Sequence, residues 1–208
     1  AFDDKLNLQL GVSTNFRKRN LVGSNNAFEQ AAQRNPTQPI KDEEGNWIDD
    51  QGAFDSYNPL ADYATRTDYV DRTTFLLSGR AAYSIIDGQT VATMASWQQY
   101  SDLRRQYYMS DSKYSRDFFD GAGRAQKWQS QDITKTIETT LEYTKIFKKI
   151  HSLNVVLGHS YQYHVAEGFN AWNSGFASDA FLDNNLGLGV GLAKGTSYGN
   201  MESSKRDN

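Results

Sequence analysis

Apolar and polar residues alternate along five stretches of the chain, and strict alternation is the mark of a strand with one apolar face. In the first, residues 5–16, Leu6, Leu8, Leu10 and Val12 share one side while Asn7, Gln9, Gly11 and Ser13 share the other. The second covers 73–86, where Phe75, Leu77, Ala81, Tyr83 and Ile85 oppose Thr74, Ser78, Arg80 and Ser84. A less regular third covers 90–100 and sets Val91, Ala95 and Trp97 on one face. The fourth, 134–147, opposes Ile137, Leu141 and Tyr143 to Glu138, Thr140, Glu142 and Thr144. The fifth, 151–164, opposes Leu153, Val155, Leu157 and Tyr161 to Asn154, Gly158, Ser160 and Gln162.

The connections between these strands alternate as well. Links 17–72, 101–133 and 165–208 are long, whereas 87–89 and the Lys148-Lys149 turn are short. Asp87-Gly88 is a typical hairpin pair. Long structureless links are uncommon in compact water-soluble domains. Outer-membrane β-barrels carry them on the outside and keep short turns on the periplasmic side. The pattern therefore predicts an all-β, antiparallel, transmembrane β-barrel segment of about five strands. Five strands cannot close a barrel, since the bacterial ones begin at about 8. The expectation is a piece of a larger wall, ending before a sixth strand.

Composition agrees with this reading. Hydrophobic residues are 38% of the 208, and no run of about 18 apolar residues exists to form a membrane helix. A barrel shows lipid only every second residue, so its mean hydropathy stays low. Aromatics reach 13%, which suits sheets and membrane-interface girdles. A net charge of -3 makes no electrostatic case for nucleic acid. The absence of cysteine removes disulfides, thiol nucleophiles and cysteine zinc sites. No basic stretch followed by an apolar one opens the chain, so an export signal is expected upstream.

The runs Asn35-Pro36-Thr37-Gln38-Pro39-Ile40, Asp42-Glu43-Glu44-Gly45-Asn46-Trp47 and Ser56-Tyr57-Asn58-Pro59-Leu60-Ala61 together resemble a recurring outer loop of SusC/RagA-type TonB-dependent outer-membrane receptors. Other runs that resemble the family are Leu153-Asn154-Val155-Val156-Leu157-Gly158-His159-Ser160-Tyr161-Gln162, followed by Glu167-Gly168-Phe169-Asn170-Ala171, Ser174-Gly175-Phe176 and Asn184-Asn185-Leu186-Gly187. Asp3-Asp4-Lys5-Leu6 is similar to the family's periplasmic turn into a rising strand. The resemblance implies that residues 1–208 are part of a barrel domain of about 22 strands, the class whose lumen is plugged. It implies a plug domain and a TonB-contacting segment upstream, neither of them in this stretch. It further implies a SusD-like surface lipoprotein as lid, oligosaccharide or peptide as cargo, and the outer membrane of a Gram-negative-type bacterium as location.

No catalytic or cofactor constellation is present, so no enzyme is expected. His159 and His164 fall on opposite faces of a strand and cannot share a metal. Asp42–Asn46 lacks the spaced ligands of a calcium loop. The serines lie outside any Gly-x-Ser-x-Gly motif, and Gly187, Gly189, Gly191 and Gly195 do not make a phosphate loop. Lumen-facing Asn7, Gln9, Ser13, Arg80, Glu138, Thr140 and Asn154 would line the route or bond the plug. Trp47, Tyr57, Trp128 and Trp172 fall in the long links, where their rings would pack the loops or stack on cargo or lid. Arg17, Lys18 and Arg19, and then Arg104 and Arg105, follow strands at their outer ends and would meet the phosphates of lipopolysaccharide. The rival from another class is a secreted β-sandwich that binds carbohydrate through Trp and Tyr. It predicts shorter links at regular spacing.

Overall fold

A computed structural model of the chain describes residues 5–22, 27–48, 58–195 and 197–207. Within them lie strands β1 (Leu6–Asn20), β2 (Arg66–Ile86), β3 (Gln89–Tyr108), β4 (Gly123–Phe147), β5 (His151–Phe176) and β6 (Gly199–Asp207). They form a single antiparallel sheet in the order β1-β2-β3-β4-β5-β6, each strand paired with its neighbours in sequence. Short helices α1 (Ala27–Gln33), α2 (Pro59–Thr65), α3 (Lys113–Phe118) and α4 (Gly191–Lys194) decorate the long links. The all-β, antiparallel reading is borne out. The strand count is corrected from five to six, because Gly199–Asp207 extends the sheet along β5. Nothing in Gly-Asn-Met-Glu-Ser-Ser-Lys-Arg-Asp alternates in polarity, so this strand carries no sequence signal.

The strands also run much further than their alternation. β4 has 25 residues and β5 has 26. Such strands measure about 80 Å at ~3.3 Å per residue, whereas a tilted crossing of the bilayer needs only ~9–11 residues. The alternating parts are the ends nearest the tight turns. Those boundaries agree with the pattern at Ile86, Phe147 and His151. At the other ends, the links shrink to 21–65, 109–122 and 177–198.

Register gathers the aliphatic rows onto one face. Leu8 lies opposite Ala81, Val12 opposite Leu77, Ile137 opposite Tyr161 and Leu141 opposite Leu157. These residues are not buried: Leu10 is 79% exposed, Phe16 77% and Leu157 63%. The fully buried apolar cluster is small and lies elsewhere, comprising Tyr107, Ala125 and Phe176. A sheet normally hides its apolar face against a second layer. Among the described residues no second layer covers the band, so each aliphatic side chain forgoes the ~2 kcal/mol that burial would bring.

The two tight turns have different chemistry. In the β2–β3 hairpin Gly88 has φ +79°, and a Cβ there would meet the Thr144 carbonyl oxygen at 2.2 Å, so only glycine fits. In the β4–β5 hairpin Lys148 and Lys149 both take positive φ, 51° and 60°, closed by Ile150 N donating to the Phe147 carbonyl at 3.1 Å. That is the twist hairpins favour, made with residues that favour it poorly.

Candidate functional site

Beyond the apolar band both faces of the sheet turn polar. On the face opposite the aliphatic rows, β1–β4 present Arg17, Arg19, Arg66, Arg72, Arg104 and Arg124 against the carboxylates of Asp68 and Asp102. Asp68 is fully buried at the centre of this patch. Arg104 donates to it from Nε at 2.8 Å and Nη2 at 2.7 Å. Arg66 Nη2 donates at 2.7 Å and Gln106 Nε2 at 2.9 Å. Burial pushes the Asp68 carboxyl up, but the hydrogen bonds and charges of Arg104 and Arg66 outweigh it and hold the pKa below the usual carboxylate range. One turn of the pleat lower, Arg72 grips Asp102 bidentately at 2.7 and 2.5 Å. The Arg72–Asp102 pair lies at the edge of the band, next in register to Phe16, and Asp68 lies further out along β2.

Aromatic rings sit among these charges. Trp128 lies under the Arg104 guanidinium, 4.9 Å from the ring centre, and Trp172 under that of Arg124 at 4.7 Å. Helix α3, N-capped by Ser112 Oγ accepting from Ser115 N, brings Tyr114 and Phe119 over the same place. Phe119 meets Trp172 edge-on at 6.0 Å, and Tyr114 stacks at 4.4 Å on Tyr108.

The tip of the opposite face is closed differently. Asp179 accepts from Tyr107 Oη at 2.7 Å, Ser110 N at 3.1 Å and Ser110 Oγ at 2.7 Å. Asn173 ties down the same link by donating to the Leu186 and Gly189 carbonyls and accepting from Leu192 N. Tyr107 is wholly buried, and burial together with the Asp179 carboxylate drives its pKa up. Its hydroxyl occupies the space that a side chain at Gly123 would need.

Several sequence-based placements need correction. Trp128 and Trp172 lie in β4 and β5, not in links, and their rings contact arginines of the sheet. Trp47 is in a link, bridged to Lys41, whose Nζ sits 4.1 Å above its ring. Tyr57 lies outside the described residues. Arg17, Lys18 and Arg19 are inside β1, and Arg104 and Arg105 are inside β3, because both strands continue past their alternating parts. With a side-chain period of two, each run is split between faces. Lys18 and Arg105 share the face of the aliphatic rows, where Arg105 pairs with Asp71 at 2.5 Å. Arg17, Arg19 and Arg104 share the other. The arginine–carboxylate patch around Asp68 escaped the sequence reading. The only signal was the Arg66-Thr67-Asp68 and Arg104-Arg105-Gln106 text, which reads as ordinary loop charge until the register is known.

The architecture defines a class: a meandering, antiparallel segment of a β-barrel wall, with apolar band, short turns at one end and long structured links at the other. No protein-family model and no curated protein matches the chain. Among solved structures, the RagAB peptide transporter superposes with a TM-score of 0.71 at 17% identity, over 98% of this chain and 23% of that one. The RagAB peptide importer in its "closed-closed" state gives 0.67 at 16% identity, over 100% of this chain and 23% of that one. The chain thus spans about a quarter of the length of the structures it matches. At these identities the likeness is one of fold, and it agrees with the SusC/RagA-type resemblance in the sequence.

Proposed function

We propose that the chain is a stretch of barrel wall from a SusC/RagA-type TonB-dependent transporter of the outer membrane. The single observation that carries this is the exposed aliphatic face, confined to about one bilayer crossing of much longer strands. The aliphatic face meets lipid. The opposite face lines the lumen and bonds a plug domain, and the polar extension stands above the membrane among the outer links. Ligand is held between these links and a SusD-like lipoprotein, and energy delivered through TonB remodels the plug. The protein is a transporter rather than an enzyme. A peptide cargo is favoured over an oligosaccharide by the structural likeness to a peptide transporter.

Lipopolysaccharide contact narrows to Lys18 and Arg105, which share the face of the aliphatic rows beyond the band. Replacing both with Gln should lower the lipopolysaccharide that copurifies with the protein, and unchanged retention would remove this contact. A carbohydrate-binding sandwich needs two packed sheets, and the described residues form one. The test of the main reading is uptake. Cells with the gene deleted should lose uptake of labelled peptides and regain it with the gene restored, and uptake indifferent to the gene would end the proposal.

A further inference from the structure

The lumen-side patch contains the same pairing twice. In the first copy, a guanidinium lies over a tryptophan, Arg104 over Trp128, and its donors are met by the Asp68 carboxylate through two hydrogen bonds. In the second copy, Arg124 lies over Trp172 in the same way, with Tyr114 and Phe119 rings each 5.8 Å from the guanidinium. Here no carboxylate completes the arrangement among the described residues. Arg124 donates from Nη2 to Gln126 Oε1 at 2.5 Å, and Gln126 is itself held by Asn170 Oδ1 at 3.0 Å. Its Nε is buried without an acceptor. The charge rests on rings and an amide rather than on a carboxylate, and burial lowers its pKa from the ordinary guanidinium value. The side chain nevertheless stays partly exposed on the lumen side.

We propose that Arg124, backed by Trp172 and Tyr114, docks a carboxylate of the cargo through the part of its guanidinium that stays exposed. The inference rests on the transport reading and deepens it, by assigning the wall a preference for carboxylate-bearing peptides over neutral oligosaccharides. Guanidinium suits this role because its planar fork matches a carboxylate and its flat face stacks on aromatics. The rings do not serve a sugar here, since each lumen-side tryptophan already carries an arginine.

The test uses the intact transporter with its lipoprotein partner. Two probes are compared, a peptide library with free carboxylates and the same library with every carboxylate amidated. R124Q should weaken binding of the free-carboxylate library by about tenfold or more, the worth of a charge-assisted hydrogen bond, and leave the amidated library unchanged. R124K, which keeps the charge and loses the fork, should fall between. Equal weakening of both libraries would mark Arg124 as structural and overturn the proposal, as would an R124Q protein that binds carboxylates normally. Uptake of neither library by cells carrying the unsubstituted protein would instead overturn the transport reading, and this inference with it.

Discussion

The turn-proximal half of the sheet and its projecting half solve opposite problems. Near the tight turns, Leu8, Leu10, Val12, Ile137 and Leu157 stand on an open face that no second layer covers among the described residues. That half is held by backbone ladders and by whatever solvent surrounds it. In the projecting half, Asp68 gathers two arginines and a glutamine, Asp179 and Asn173 tie the last long link to the strand tips, and aromatic rings cover both faces. That half brings its own partners. One continuous strand therefore passes from a region specified by its environment to one specified by its own side chains.

The sharpest way to break this contrast is a charge in each setting. Leu10→Arg, on the lipid side in mid-band, should cost about 2–4 kcal/mol and reduce the amount of inserted protein, whereas Gln9→Arg one residue away should cost little. Quantifying the membrane-inserted fraction of each variant checks this, and equal behaviour would undo the assignment of faces. In the projecting half, Asp68→Ala strands Arg66 and Arg104 and should destabilise the wall by about 3 kcal/mol, since it breaks a buried pair. Thermal melting of the intact protein in detergent reads it out. The same carboxylate sets a pH dependence. Its folded pKa lies below its unfolded value of about 3.9, so its contribution is complete above that value and is lost as pH falls through the folded pKa.

Smaller effects refine the picture. The Arg72–Asp102 pair is bidentate but substantially exposed, so a double-mutant cycle should return no more than about 1 kcal/mol. In the β4–β5 turn, Lys149→Gly should stabilise the protein by up to about 1 kcal/mol by removing the strain of positive φ, and a lower melting temperature would contradict that.

The sequence discloses the turn-proximal half and hides the other for one physical reason. Alternation is visible only where one face is apolar and the other polar. The strand ends at Ile86, Phe147 and His151 were legible because aliphatic rows run up to them. Residues 101–108, 123–133 and 165–176 read as links because neither face is consistently apolar there, and Trp128 and Trp172 fall in them. β6 was invisible for the same reason. The arginine patch was unreadable in principle, because Arg66, Asp68, Arg104 and Arg124 come together only through the register of three strands.

The central claim concerns where the aliphatic rows reside, and the chain's lack of cysteine allows a direct measurement. Single cysteines at positions 7 to 12 of the membrane-inserted protein, each carrying a fluorophore, would be exposed to a quencher confined to the lipid phase. Strong quenching at 8, 10 and 12 with weak quenching at 7, 9 and 11 is the predicted result. Quenching that is uniformly absent, with the labels at 8, 10 and 12 shielded inside the protein, would contradict it.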